Sequence, residues 1–243
     1  MSQISSSLLK KLKEAKDVIK VTTTSGEVTL NTLTLKQQKD LLSTVVSGVK
    51  GAIEFNKILN KIIIENSDTD KIFTTDRVKI ALNLRKQSLG SDVKVEQEVY
   101  DIDRFLEKAD NNKKTFKMES EATEGVVTLN LRVPTLKEEN AVIGRCLVEL
   151  DKTSEAKESG KAFGIIYIYE LIKYIKSVKV GEEIAQFDDL KISERVEIIE
   201  NLPLTVYKQL SSFFKAITSY ENEILTIEEK TLTIDPTFFD TIN

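Results

Sequence analysis

The sequence predicts an α+β fold that is mostly helical, with two small antiparallel β-hairpins that each lead into a capped helix. Three observations support this prediction. A strand-to-helix pattern occurs twice, residues 55–63 show clear helical periodicity, and the 243 residues include only three prolines and nine glycines. So few of these two residue types leave little room for disordered linkers.

The repeated pattern begins at residues 28–42, VTLNTLTLKQQKDLL, and returns at residues 127–142 as VTLNLRVPTLKEENAV. Both copies start with Val-Thr-Leu-Asn, an apolar/polar alternation that is typical of a half-buried strand. In each copy an alternating segment comes first, a polar turn that contains glycine follows it, and then this strand begins. Two β-hairpins are therefore predicted. Chance similarity of common residue types is the alternative explanation of the repeat.

Each copy continues into Thr-Leu-Lys, which starts a predicted helix. Gln37 lies three residues after Thr34, and Glu138 lies three residues after Thr135. This spacing predicts a capping box, in which the threonine hydroxyl accepts from the third helical amide and the Gln or Glu side chain accepts from the threonine amide.

Further helices are predicted from apolar periodicity and from start signals. Phe55, Ile58, Leu59, Ile62 and Ile63 share one helical face, so residues 55–66 form the most regular predicted helix. The other predicted helices cover a short N-terminal segment around residues 8–15, the segment from Thr74 to about Gly90 with Thr74-Thr75-Asp76 as the N-cap region, and segments near 102–109, 137–152, 193–200 and after Pro203.

Residues 163–178 are apolar and aromatic on several sides, and we expect them to form a helix, with a strand as the alternative because many are β-branched. Such a segment is either a central core helix or one whose tyrosines, Tyr167, Tyr169 and Tyr174, meet another subunit. The adjacent Phe238 and Phe239 near the end of the sequence pose the same choice. They either pack onto the core of their own chain or anchor this end in a neighbour.

We predict two modules of similar plan, an N-terminal module of hairpin and helices at residues 1–90 and a longer one at residues 91–243 that ends in a C-terminal tail. Residues 91–125 are more polar than the rest, and their role is not predicted. One large domain or two small ones are both compatible with the length.

Composition excludes several common kinds of catalytic and metal site. The chain has no histidine and one cysteine, Cys146, which removes histidine-based triads, ordinary zinc sites and any intramolecular disulfide. Cys146 lies on an apolar helical face and is expected to be a core residue. Neither type of glycine-rich phosphate loop is present, and the adjacent acidic pairs have no motif around them. We therefore predict no catalytic, cofactor-binding or metal-binding residues, no small-molecule substrate and no enzymatic activity.

The charge pattern also limits the partners. A net charge of −4 with mixed signs argues against general nucleic-acid binding, which normally needs a concentrated basic excess. No apolar run is long enough to cross a bilayer, and the first residues lack the apolar stretch of a signal peptide. We expect a soluble protein, and use of a single cysteine suits a reducing cytoplasm.

Three segments resemble the baseplate hub protein family of T-even-type contractile-tailed bacteriophages. They are SGEVTLNTLTLKQQKDLLSTVVSG at 25–48, EFNKILNKIIIEN at 54–66 and TTDRVKIALNLRKQSLG at 74–90, with a weaker likeness in SERVEIIENLP at 193–203. Together they cover roughly half of the chain, and residues 91–125 carry no part of the likeness.

The resemblance implies a non-enzymatic structural or assembly component of the phage tail baseplate hub, assembled in the host cytoplasm and located in the virion. Its partners would be other tail and baseplate proteins in a multi-subunit assembly, with Tyr167, Tyr169, Tyr174, Phe238 and Phe239 as candidate protein-interface residues. A tail-assembly chaperone that leaves before maturation is one alternative, and an intracellular adaptor or DNA-associated protein is another. Copy number, symmetry and the identity of the neighbouring subunits are left open.

Overall fold

The computed structural model describes residues 17–44, 48–111, 117–152 and 159–240, together with Leu8 and Lys11. Most of the predicted N-terminal helix therefore lies outside the described residues. The apolar periodicity of the helix predicted to begin at Thr34 continues through Val45 and Val46, and these two residues also lie outside the described residues. Over the described residues the chain forms eight α-helices and several small antiparallel sheets, so a mostly helical α+β fold is confirmed.

Helices and short strands are interspersed along the whole chain. The first part contains β1 (Val18–Thr23), β2 (Gly26–Asn31), α1 (Leu35–Leu42), α2 (Gly48–Asn66), α3 (Arg77–Leu89), β3 (Asp92–Val95), β4 (Glu98–Asp101) and α4 (Ile102–Asn111). The second part contains β5 (Glu119–Glu124), β6 (Val127–Arg132), α5 (Leu136–Leu150), α6 (Ser159–Ile172), β7 (Ile175–Val180), β8 (Glu183–Gln186), α7 (Ile192–Glu200), α8 (Leu204–Leu225), β9 (Thr226–Ile227) and β10 (Lys230–Thr231). Short 3-10 turns occur at Thr74–Asp76, Phe187–Asp189 and Pro236–Phe239.

Both strand-to-helix junctions contain a capping box. The Thr34 hydroxyl accepts from the Gln37 amide at 3.2 Å, and the Thr135 hydroxyl accepts from the Glu138 amide at 3.3 Å. In each case the N3 side chain also accepts from the N-cap amide. Four amide donors that the helices cannot satisfy internally are thus paired locally, which fixes where α1 and α5 begin.

The described residues form more antiparallel strand pairs than the two hairpins predicted from the sequence. β1 pairs with β2, and β5 pairs with β6, but β3–β4 and β9–β10 are further antiparallel pairs. The β5–β6 pair also belongs to a four-stranded antiparallel sheet with the order β5-β6-β7-β8. The second hairpin is therefore half of a larger sheet, to which a distant part of the chain contributes two strands.

The predicted helix over residues 163–178 is correct only in its first part. It ends at Ile172, and Ile175–Val180 forms strand β7 beside β6. The Tyr174 amide donates to the Leu171 carbonyl, and the Tyr174 carbonyl accepts from the Arg132 amide at 2.8 Å. The β-branched residues that follow therefore form a strand paired with β6, a structure that their β-propensity favours.

The start of α3 also differs from the prediction. Thr74–Asp76 forms a 3-10 turn, α3 begins at Arg77, and Asp76 makes no side-chain cap to this helix. The Asp76 carboxylate instead accepts from the Thr24 amide at 2.9 Å and from the Thr24 hydroxyl at 2.8 Å. It ties the β1–β2 turn to the start of α3.

The buried apolar residues form two clusters. The first cluster contains buried residues of β1 to α4, Leu136 at the start of α5, and residues from 224 to 239. The second cluster contains the other buried apolar residues between 122 and 217, and Ile53 from α2. The boundary between the clusters does not coincide with residue 90, because Val93 to Leu106 pack in the first cluster. The division into modules 1–90 and 91–243 stays a prediction.

Candidate protein-interaction site

Helices α2 and α5 pack against each other where the two clusters meet, and a buried carboxylate lies between them. Glu139 of α5, only 1% exposed, accepts from Asn60 of α2 at 2.7 Å and from Lys173 at 2.6 Å. It also accepts from Arg77 at the start of α3 at 2.5 Å. Single side chains from three helices and from the α6–β7 connection thus converge at this point.

The surrounding charges complete this cluster. Lys173 also pairs with Glu170 at 2.7 Å, and Arg77 lies 3.8 Å from Glu221 of α8. Burial alone would raise the pKa of Glu139, but Arg77 and Lys173 outweigh it and lower that pKa to about 2. Burial opposes the charged forms of Arg77 and Lys173 as well, yet the adjacent carboxylates hold both pKa values above their ordinary values. All these contacts join residues of the same chain, so the charges link the elements that carry the two apolar clusters.

Exposed apolar side chains mark a different region, where α6 and the first turn of α8 lie side by side. Phe163 is 59% exposed, Tyr167 is 40% exposed and Leu204 is 75% exposed. The rings of Tyr167 and Tyr207 meet edge-on with centroids 6.0 Å apart, and the Tyr207 hydroxyl donates to the Tyr167 hydroxyl. We call Phe163, Tyr167, Leu204 and Tyr207 the α6–α8 patch. Large aromatic surface left in water is typical of interaction sites.

The five predicted interface residues do not lie together. Tyr167 is in the α6–α8 patch, whereas Tyr169 and Tyr174 are buried in the second cluster. Phe238 and Phe239 are buried in the first cluster, where Phe239 packs 6.4 Å from the Phe55 ring. Of the five, only Tyr167 has an exposed side chain. Their role in contacts with other proteins stays a prediction.

The buried tyrosines have specific partners inside the chain. Tyr174 packs against Phe213 and Phe214 of α8, with ring centroids 6.1 Å and 5.7 Å away, and Lys173 lies over its ring at 5.4 Å. Burial raises the pKa of Tyr174. Tyr169 is buried beside α5, and burial again raises the pKa of its hydroxyl.

Sequence reasoning missed two features that had visible signals. Glu139 falls on the same helical face as Leu136, Ile143 and Cys146, and a lone acid within an apolar stripe is a sign of a buried, paired charge. Phe163 belongs to a segment expected in the core or at a tyrosine-bearing interface, although Gly160 and Gly164 share its face. Small residues beside an aromatic on one helical face could have indicated a surface that is left open.

The described residues contain no group of three or more histidine, cysteine, aspartate or glutamate side chains that could hold a metal ion. The Cys146 thiol is buried, and burial raises its pKa to about 12, which disfavours the reactive thiolate. Within the described ranges, no helix is both long and apolar enough to cross a membrane.

Comparison with known proteins places the chain in a family. No curated protein and no solved structure matches it. The family model described as T4 bacteriophage base plate protein matches residues 15–231, which is most of the chain. The match covers the second apolar cluster, the first cluster except its residues after 231, the buried charges around Glu139 and the α6–α8 patch. The chain therefore belongs to the T4 bacteriophage base plate protein family.

Proposed function

We propose that this chain is a non-enzymatic structural or assembly component of a contractile-tail baseplate hub, which acts through contacts with other tail proteins. The observation that carries the proposal is the family match over residues 15–231. It indicates a phage baseplate component. The hub position, the non-enzymatic character and assembly in the host cytoplasm are the finer parts of the proposal.

Two physical features support action through protein contacts. The buried charges around Glu139 fix the two apolar clusters relative to each other, so the surface is preorganised for docking. The α6–α8 patch leaves aromatic side chains in water, and aromatic residues are enriched at interface cores. Tyr167, the exposed member of the five predicted interface residues, lies in this patch.

Mass spectrometry of purified phage particles tests the proposal directly. We expect peptides of this chain in particles that have been banded by density, in a constant ratio to other baseplate proteins. A chain that binds a tail protein in lysates and is absent from particles would instead be a tail-assembly chaperone.

The DNA-associated alternative has a separate test. Titration of the purified chain with duplex DNA at low and physiological salt should show no specific binding, because the net charge is −4. Tight, salt-sensitive DNA binding together with absence from particles would overturn the proposed function.

A further inference from the structure

Helix α8 passes from the second apolar cluster to the first, and its last turns rest on the start of α3. Its buried residues belong to the second cluster in its first part and to the first cluster at Ile224. Between these parts, Tyr220 lies beside Asp76, and Glu221 lies beside Arg77. We call the contact of these four residues the α8 seat. A change of charge at the α8 seat changes how firmly α8 links the two clusters.

Neither carboxyl group of the α8 seat has the partners that a buried carboxylate needs. Asp76 is 6% exposed, and its Oδ1 accepts both hydrogen bonds from Thr24, whereas its Oδ2 is buried and has no hydrogen-bond partner among the described residues. The Glu221 side chain is 21% exposed, and within the same residues it reaches a cation only at 3.8 Å, at Arg77. That guanidinium is already held by Glu139 at 2.5 Å. An ionised carboxylate buried without a close counter-charge lowers the stability of the fold.

The charges around Glu221 contain one carboxylate more than they contain cations. Glu139, Glu170 and Glu221 share Arg77 and Lys173. Glu139 contacts both cations at 2.5 and 2.6 Å, and Glu170 contacts Lys173 at 2.7 Å, so Glu221 is the carboxylate with the weakest pairing. Burial raises the pKa of Glu221, and the neighbouring carboxylates Glu139 and Glu170 add to this rise, whereas Arg77 and Lys173 oppose it. Carboxyl groups crowded in this way ionise one after another as the pH rises.

The surroundings of Asp76 act in the same direction. Burial raises its pKa, against the two hydrogen bonds from Thr24 and the charge of Lys79, which lower it. Tyr220 and Tyr174 also face the α8 seat, and burial raises the pKa of each hydroxyl, so both stay neutral in the range where carboxyl groups titrate. The two carboxyl groups of the α8 seat are therefore easier to protonate in the folded chain than in the unfolded chain.

We propose that the α8 seat is a pH-sensitive switch, in which Asp76 and Glu221 hold protons while α8 is seated and the seat weakens as they ionise with rising pH. The sign follows from linkage, because a carboxyl group whose folded pKa is raised stabilises the fold in its protonated form, and this stability is lost as the pH rises through the folded pKa. The loss begins above the ordinary values of 3.8 for Asp76 and 4.5 for Glu221. The inference concerns α8 itself and does not rest on the proposed function.

The position of α8 gives the switch two outlets. The start of this helix contributes Leu204 and Tyr207 to the α6–α8 patch. Its end leads into the segment up to Phe239 that completes the first cluster. Ionisation at the α8 seat should therefore loosen the patch and this last segment together.

Composition makes the switch simple to isolate by experiment. The chain has no histidine, the side chain that ordinarily titrates between about pH 5 and 8, and burial raises the pKa of Cys146 to about 12. Urea denaturation of the full chain, followed by circular dichroism at intervals from about pH 5 to pH 8, therefore tests the proposal. The unfolding equilibrium constant of the wild type should rise at least about fivefold over this range, since each unit by which folding raises a pKa is worth a factor of ten.

The double variant Asp76→Asn with Glu221→Gln replaces both protonated carboxyl groups by neutral amides. Its unfolding equilibrium constant should change by less than about twofold over the same range, and it should be more stable than the wild type at pH 8. Glu149→Gln is the matched control, because Glu149 forms solvent-accessible ion pairs outside the α8 seat, and it should keep the wild-type profile. A wild-type constant that does not change, a double variant that rises as much as the wild type, or a double variant that is less stable at pH 8 would overturn the proposal. The last result would mean that ionised Asp76 and Glu221 stabilise the seat as ordinary ion pairs.

Discussion

Substitution of Glu139 by glutamine should lower the free energy of unfolding by about 3 kcal/mol at pH 7, near the lower end of the range for breaking a buried ion pair. Glutamine keeps the shape of the side chain but removes the charge that faces Arg77 and Lys173. Lys173 keeps Glu170 at 2.7 Å and Arg77 keeps Glu221 at 3.8 Å, so neither cation is left wholly without a carboxylate. This is the reason for expecting the lower end of the range.

The depressed pKa of Glu139 arises from the same interactions with Arg77 and Lys173 and sets the pH dependence of this loss. Its folded value of about 2 lies below the ordinary value of 4.5, which corresponds to about 3 kcal/mol of stability at neutral pH. Because the folded pKa is depressed, this stabilisation is fully present above about pH 4.5 and is lost as the pH falls towards 2. The difference between wild type and Glu139→Gln should therefore shrink in acid.

Urea denaturation followed by circular dichroism, at pH 7 and at pH 3, measures both quantities. Glu149→Gln is the matched control, because Glu149 is on the same helix and forms solvent-accessible ion pairs with Arg145 and Lys152. The control should change the free energy of unfolding by less than about 1 kcal/mol. A loss below about 1 kcal/mol for Glu139→Gln at pH 7, or the same loss at both pH values, would refute the assigned role of this carboxylate.

Three further outcomes follow from single contacts. Phe239→Ala should lower the free energy of unfolding by about 3–5 kcal/mol in urea denaturation, because Phe239 is fully buried in the first cluster; a loss comparable to that of an exposed residue would contradict this placement. Thr34→Ala should cost about 1 kcal/mol in the same assay, since it removes one arm of the capping box, while Thr34→Ser should retain most of the stability. Cys146 should resist alkylation by iodoacetamide at pH 8 until the chain is unfolded in denaturant, and rapid labelling of the native chain would show that the thiol is accessible.

The elements that could be predicted from sequence are those fixed by local interactions. The capping boxes at Thr34 and Thr135 join residues three apart, and the apolar face of α2 repeats within a few turns. Strand β7 could not be separated from α6 in this way. Its apolar and β-branched residues are compatible with a continued helix and with a strand. Only the pairing with β6, more than forty residues earlier, decides in favour of the strand.

The candidate site was predictable only in part for the same reason. Aromatic content identified Tyr167, but it gave equal weight to Tyr174, which α8 covers, and to Phe239, which α1 and α2 cover. Exposure depends on which helices fold back over a side chain, and that is a property of the tertiary arrangement. The partners of Glu139 come from positions 60, 77 and 173, and no short-range pattern connects them.

The first apolar cluster encloses the second along the chain, and this has a consequence for synthesis on the ribosome. Residues up to Ile217 complete the second cluster, whereas the first cluster still awaits Ile224, Ile227 and Phe239. The strands and helices from β1 to α4 are made before the second cluster, yet they cannot finish packing until residues 224–239 have left the exit tunnel. Apolar surface of this region therefore stays uncovered while the second cluster is being made, and a chaperone or premature contact with a tail protein would have its greatest effect in that interval.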